Sequence, residues 1–272
     1  MTKLNLIIRF CSIITIIKLL CSCSALDYHP YDSLISGETE LTDKNIDKIE
    51  VLTNGKKIIK FAMISDTQGW YDETIDAIKA INGRNDIDFV IHGGDQSDFG
   101  VTKEFIWMRD IFQKLKVPYV CLIGNHDCVG SGADVYKKIY GNDNFAFTAG
   151  QTRFICLNTN AMEYDYSHPV PDFDFIWNEL NSFPKTASKS VFVMHVKPKD
   201  FQFNNNVANI FERYIKEFPG LQFCLYGHNH VVAVDDVFSD GLLYYGCASI
   251  NKRSYLLFTI KEEGYDYEVV EF

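Results

Sequence analysis

Five short blocks rich in metal-ligand side chains, each at the end of a hydrophobic run, constrain this 272-residue chain more than any other feature. FAMIS leads into Asp66-Thr67-Gln68, DFVIH into Gly94-Asp95-Gln96-Ser97-Asp98, and YVCLI into Gly124-Asn125-His126-Asp127. VFVM leads into His195, and FCLY into Gly227-His228-Asn229-His230. Short apolar runs of this kind read as buried strands. In open α/β sheets the carboxyl ends of strands open onto one crevice, so residues placed there converge in space although they lie far apart in sequence. Two divalent cations about 3.5 to 4 Å apart need a carboxylate between them and several O and N ligands outside it, and these blocks supply those types.

The spacing between blocks predicts how they are joined. Asp66, Asp95 and Asn125 stand about 30 residues apart, the length of one βαβ unit, which predicts parallel strands with three ligand loops on one edge. Lys57 to Ser65, Asp86 to His92 and Val117 to Ile123 are the strands, and Tyr71 to Asn82 and Lys103 to Leu115 the helices between them. After Gly141 the pattern shifts toward hairpins, with strands Asn144 to Thr148 and Thr152 to Leu157. Helix Asp172 to Leu180, strand Ser190 to Met194 and helix Val207 to Phe218 follow. The last of these carries a helix-period stripe of Val207, Ile210, Phe211, Tyr214 and Ile215. Strands Leu221 to Tyr226, Val231 to Val237, Leu242 to Cys247, Tyr255 to Ile260 and Tyr265 to Val270 close the chain. The fold class expected is α/β, a two-sheet sandwich flanked by helices.

The ordered blocks resemble the signature of the calcineurin-like metallophosphoesterases, D-x-H, G-D-x-x-D, G-N-H-D/E, a lone H and G-H-x-H, over about residues 58 to 248. The resemblance implies the same αββα sandwich and two divalent metal ions, drawn from Mn, Fe, Mg and Zn. It gives Asp95 the bridging role. Asp66, Gln68 and His230 would hold the first metal, and Asn125, His195 and His228 the second. A hydroxide between the metals would attack phosphorus, His126 would protonate the leaving oxygen, and Asp127 could orient its ring. Asp98 is assigned a supporting role. Gly94, Gly124 and Gly227 precede ligands, where a residue without Cβ lets the backbone turn sharply. Gln68 departs from the pattern, which has His there. An amide oxygen is a weaker and harder ligand than imidazole, so the first site should bind less tightly or tilt toward Mn, Mg or Fe over Zn.

The N-terminus differs in kind. Lys3 and Arg9 precede an apolar run from Phe10 to Ile17 that is too short to span a bilayer, which reads as a signal peptide over residues 1–22. Leu20-Cys21-Ser22-Cys23 resembles a bacterial lipoprotein box with Cys23 as the lipidated residue, Cys21 fitting worse behind bulky Leu20. An uncleaved N-terminal anchor is the alternative. Lipidation would place the protein in the bacterial cell envelope, at the outer membrane. Residues 23–56 read as a tether and 57–272 as the metallophosphoesterase domain. Removal of residues 1–22 takes away Lys3, Arg9 and Lys18, so the formal charge of −10 becomes more negative. Such a field repels polyanions, which argues against a nucleic-acid polymer and for a small phosphorylated substrate.

The remaining candidates have blander readings. Cys121, Cys128, Cys156, Cys224 and Cys247 are odd in number and sit mostly in strand-like runs, so they read as buried small hydrophobes. His92 reads as a satisfied core histidine, His168 as an exposed loop residue, His29 as a tether residue, and Trp70 and Tyr71 as helix-start packing. Two functions of different class remain. One is an enzyme hydrolysing a phosphate ester; the other is a binding lipoprotein of the same fold that has lost turnover, with Gln68 in its favour. A structural surface protein with no site is disfavoured by the ligand set itself.

Overall fold

Side chains alternate across a strand, and in β1 (Ile59–Ile64) both faces are apolar and buried, which demands cover on both sides. The computed structural model describes residues 34–165 and 168–272, with Lys3, His29 and Asp32, and supplies that cover. Phe61 and Met63 face a core shared with Phe89, Phe154, Val191 and Phe223. Ala62 and Ile64 face a second core with Ala77, Ile78, Phe105 and Met108.

The first sheet adds β2 (Phe89–His92) and β3 (Tyr119–Cys121) in parallel to one side of β1. The second sheet holds β4 (Phe145–Ala149), β5 (Thr152–Leu157), β6 (Lys189–Met194), β7 (Leu221–Tyr226), β8 (Ala233–Asp235) and β9 (Tyr244–Gly246) in the order β4-β5-β6-β7-β9-β8. The chain then returns to the first sheet as β10 (Ser254–Ile260) and β11 (Tyr265–Glu271), giving β11-β10-β1-β2-β3. The hairpin expected after Gly141 is the antiparallel pair β4–β5, whereas β5, β6, β7 and β9 run parallel.

Among the residues described from 34 onward, six helices flank the sheets: α1 (Leu41–Thr53), α2 (Tyr71–Asn82), α3 (Thr102–Phe112), α4 (Gly132–Ile139), α5 (Phe173–Asn181) and α6 (Ala208–Ile215). α2, α3 and α4 close the core outside the first sheet. α5 and α6 close a third core outside the second, around Phe192, Phe211 and Tyr244. The result is the αββα sandwich expected from the sequence.

Two helices were not foreseen. α4 begins at Gly132, in a stretch to which the sequence pattern assigns no helix. α1 lies within the segment read as a tether, where polar Lys44, Asp47 and Lys48 mask a buried line of Leu41, Asn45, Ile49 and Thr53 at four-residue intervals. It packs against β3 and β4, so the tether reading does not hold for residues 41–53. Arg109, buried in α3, donates to the carbonyls of Ser36 and Glu38 and fastens the segment just before α1. The signal-peptide and lipidation assignments, Cys23 included, lie outside the described residues. Among the described cysteines all are free, with Cys128 alone only partly buried.

Candidate metal centre

The parallel strands end in register, Ile64 beside His92 and His92 beside Cys121 in one sheet, Met194 beside Tyr226 in the other. Each then releases a ligand loop toward the same end of the sandwich. Four of the delivered residues carry left-handed backbone: Asp66 (φ 53°), Asp95 (64°), His228 (65°) and His230 (59°). That conformation costs an L residue on the order of 1 to 2 kcal/mol, and its concentration at one place marks a site the surrounding fold over-determines. The amide of Asp66 is tied to the Gly94 carbonyl at 3.0 Å and that of Thr67 to the Asp95 carbonyl at 3.0 Å. Of the three glycines, only Gly94 needs a positive φ, 107°. Gly124 and Gly227 are required for a different reason than a sharp turn. A Cβ on Gly124 would collide with Asp95, and one on Gly227 with Ser65.

All seven sequence-predicted ligands meet. Asp66, Asp95 and His230 place ligand atoms within 4.8 Å of one another, with His230 Nε2 3.2 Å from Asp66 Oδ1. On the other side Asn125 Oδ1 lies 3.1 Å from His195 Nε2 and 3.0 Å from His228 Nδ1. Asp95 joins the two groups, its Oδ2 being 3.3 Å from His195 Nε2. Gln68 Nε2 sits 3.3 Å from the same oxygen, and its Oε1 is buried with no hydrogen-bond partner. An orphaned amide oxygen in a cluster of carboxylates and imidazoles is what a cation ligand looks like before the cation is added.

The imidazoles are oriented for the same task. His195 Nδ1–H donates to the Gly93 carbonyl at 2.7 Å, leaving the Nε2 lone pair toward Asp95 and Asn125. Burial works against charging this ring, but the Asp95 carboxylate, helped by Asp66, outweighs it and raises the pKa to about 9. The hydrogen bond to Asp66 raises His230 too, whereas burial and the charge of His195 lower His228. His228 Nε2 faces Asp200 Oδ1 at 3.6 Å, and Asn229 Nδ2 donates to Asp200 Oδ2 at 2.9 Å. Asp200 therefore backs the His228 loop. No sequence signal singled it out, since it lies in a Lys-Pro-Lys-Asp stretch that only the fold brings under His228.

Two assignments change. The ring of His126 is oriented by Asp98, not Asp127: Nδ1–H donates to the Asp98 carbonyl at 2.8 Å, with Asp98 Oδ1 at 3.4 Å. Asp127 is buried and accepts four backbone N–H groups, from Asp95 (2.9 Å), Gln96 (2.9 Å), Ser97 (2.8 Å) and Gly124 (2.9 Å). It staples the second ligand loop to the third and has no acceptor site left for an imidazole. The bland readings hold for His92, which is buried between Thr67 Oγ1 at 3.0 Å and Gln96 Nε2 at 3.0 Å, with burial lowering its pKa to about 3. His168 is exposed, and Tyr71 packs edge-on against Trp107 at 5.9 Å. Trp70 is more open than a packing residue, at 40% exposure.

The two sheets jointly present carboxylate, amide and imidazole side chains at their strand ends, the donor types that suit divalent cations in a hydrolase. The model of the calcineurin-like phosphoesterase family matches residues 59–232, and the chain belongs to that family, a hydrolase of phosphate esters whose members generally use a dinuclear divalent metal centre. Among solved structures it is similar to a dimetal phosphatase from Danio rerio, at 13% identity and TM-score 0.62 over 78% of this chain and 97% of that one. It is similar to GAP50, described as the anchor in the inner membrane complex of Plasmodium, at 15% identity and TM-score 0.58 over 79% and 85%. A purple acid phosphatase from yellow lupin (Lupinus luteus) matches at 13% identity and TM-score 0.56 over 79% of this chain and 51% of its own. At these identities the likeness is one of fold. No curated protein matches in sequence.

Proposed function

We propose that this protein hydrolyses a small phosphate ester at a pair of divalent cations, with His126 as the proton donor to the leaving oxygen. The observation that carries the reading is the meeting of six side chains from both sheets around Asp95, with a buried amide oxygen of Gln68 left unpartnered. Asp66, Gln68 and His230 would hold one cation, Asn125, His195 and His228 the other, and Asp95 both. When bound, the cations neutralise the phosphoryl oxygens and bring the pKa of water from 15.7 toward about 7, so that hydroxide is available as the nucleophile.

The chain's own groups do the rest. Nδ1–H of His126 is committed to the Asp98 carbonyl, so only Nε2 can pass a proton to an ester oxygen. The His126 amide donates to Asp95 Oδ1 at 3.0 Å, which fixes the donor relative to the bridging carboxylate. Replacing His126 by Asn is expected to lower turnover of alkyl phosphates by about 10² to 10⁴-fold and of 4-nitrophenyl phosphate by much less, since nitrophenolate leaves without a proton. Equal losses on both substrates would remove His126 from the proton path. A panel of monoesters, diesters and pyrophosphates, assayed with Mn, Mg, Fe and Zn in turn, tests the activity itself; a metal-loaded sample inert toward all of them refutes it.

The second reading, a binding protein of this fold, rests on Gln68 in place of an imidazole. It requires cation uptake without turnover, and a Gln68→His variant that gains activity would favour it. The resemblance of residues 20–23 to a lipoprotein box supports attachment to the bacterial cell envelope through Cys23. Globomycin should then arrest processing, and an unchanged precursor size would refute the attachment.

A further inference from the structure

Three loops close around His126, and each presents one large apolar side chain to solvent. The Asp98 loop, which holds the imidazole, continues into Phe99, 59% exposed. The amide of Val129 donates to the His126 carbonyl at 3.3 Å, and Val129 is 39% exposed. Gly100 is pressed so closely onto the Val129 carbonyl that no Cβ fits between them, which holds the backbone beside Phe99 against the backbone of Val129. The third loop is the turn Ala161–Glu163, anchored by Tyr164, whose hydroxyl lies 3.7 Å from Cys128 Sγ. It carries Met162, 64% exposed. The charged side chains that accompany these three are acids: Asp98 beside the imidazole, and Glu163, whose carboxyl feels His126 and Asp95.

Exposed apolar side chains scattered singly over a surface need no explanation, but three gathered around one proton donor do. The rim continues past the metal ligands, with Phe201 6.5 Å from the His228 ring and Val231 and Val232 exposed directly after His230. On the reading given above, His126 marks the side on which the alcohol departs. We propose that the ester cleaved here carries a large, uncharged, apolar alcohol, seated on the rim that Phe99, Val129 and Met162 form around His126. Asp98 and Glu163, which flank His126 on that rim, disfavour an alcohol bearing further phosphates or carboxylates.

The test is affinity against chain length, which does not depend on turnover. Methyl-, butyl-, hexyl- and octylphosphonate, which carry the phosphoryl head group but no ester to cleave, are titrated calorimetrically into the metal-loaded protein. Full burial of a methylene is worth about fourfold in affinity, so a half-open rim should give about twofold per methylene. Phe99→Ser and Met162→Ser, made separately because both side chains are exposed, should each reduce the ratio of octyl to methyl affinity by at least threefold. Affinity that is flat from methyl to octyl, or a slope that neither variant changes, overturns the proposal. So does tighter binding of a polyanionic ligand such as adenosine diphosphate than of octylphosphonate. A clear slope in a protein that hydrolyses none of the corresponding alkyl phosphates upholds the apolar seat and refutes the esterase reading instead.

Discussion

The seven candidate ligands were legible because metal chemistry admits few residue types, and because each follows a strand whose apolar run ends just before it. What lay beneath them was not legible. Asp200, distant in sequence from His228 and Asn229, supports them only because two loops of the second sheet fold together. Removing the carboxylate by Asp200→Ala should weaken cation binding by about 10 to 100-fold in a metal titration, with turnover recovering at saturating metal. An unchanged affinity would show that the contact orients nothing. The exchange of roles between Asp98 and Asp127 has the same origin. A carboxylate next to histidine in sequence need not face its ring, and Asp127 turns inward to four amides instead. Gly124→Ala tests the crowding at Asp95: the added methyl has no room, so the purified variant should lose cation binding and unfold at lower temperature. Wild-type metal content would contradict the geometry.

Strand positions were legible to within a few residues because β-structure buried on both faces leaves an unbroken apolar signature. The helices were less so: α1, at 13 residues the longest of those described, escaped notice because Lys44, Asp47 and Lys48 mask its buried line, and α4 because it opens on glycine and turns Asp134, Lys137 and Lys138 outward. α6 contains a feature no periodicity announces. Glu212 lies 4% exposed in the outer core, accepting from Tyr244 at 2.5 Å through Oε2 while Oε1 has no partner. Burial, only partly offset by Tyr244, raises its pKa to about 7. The folded state therefore holds a proton that the unfolded chain has released above about pH 4.5, and the associated stability is lost as pH rises through 7. Glu212→Gln should flatten that decline and leave the variant more stable at pH 8, by up to about 3 kcal/mol. Urea midpoints measured from pH 4.5 to 8 decide it; parallel curves for the two proteins would show that the carboxyl is solvated.

At the scale of the molecule, the family match begins at residue 59, but the cooperative unit begins earlier. α1 buries Leu41 and Ile49, and the segment before it accepts the buried Arg109 guanidinium. A chain starting at Lys57 should be less stable than one starting at Leu34 by about 3 to 6 kcal/mol, the cost of re-exposing two aliphatic side chains, with the stranded Arg109 charge adding to it. Superimposable thermal melts would return α1 to the status of an appendage. The ligands themselves are divided between the sheets, Asp66 to Asn125 from one and His195 to His230 from the other, and the last of them leaves the ribosome after more than four fifths of the chain. On the proposed ligand set a full coordination shell would not form on a nascent fragment, and an ion captured by the finished set would pin the two halves together like a rivet, making metal loading and the locking of tertiary structure a single late event in biogenesis.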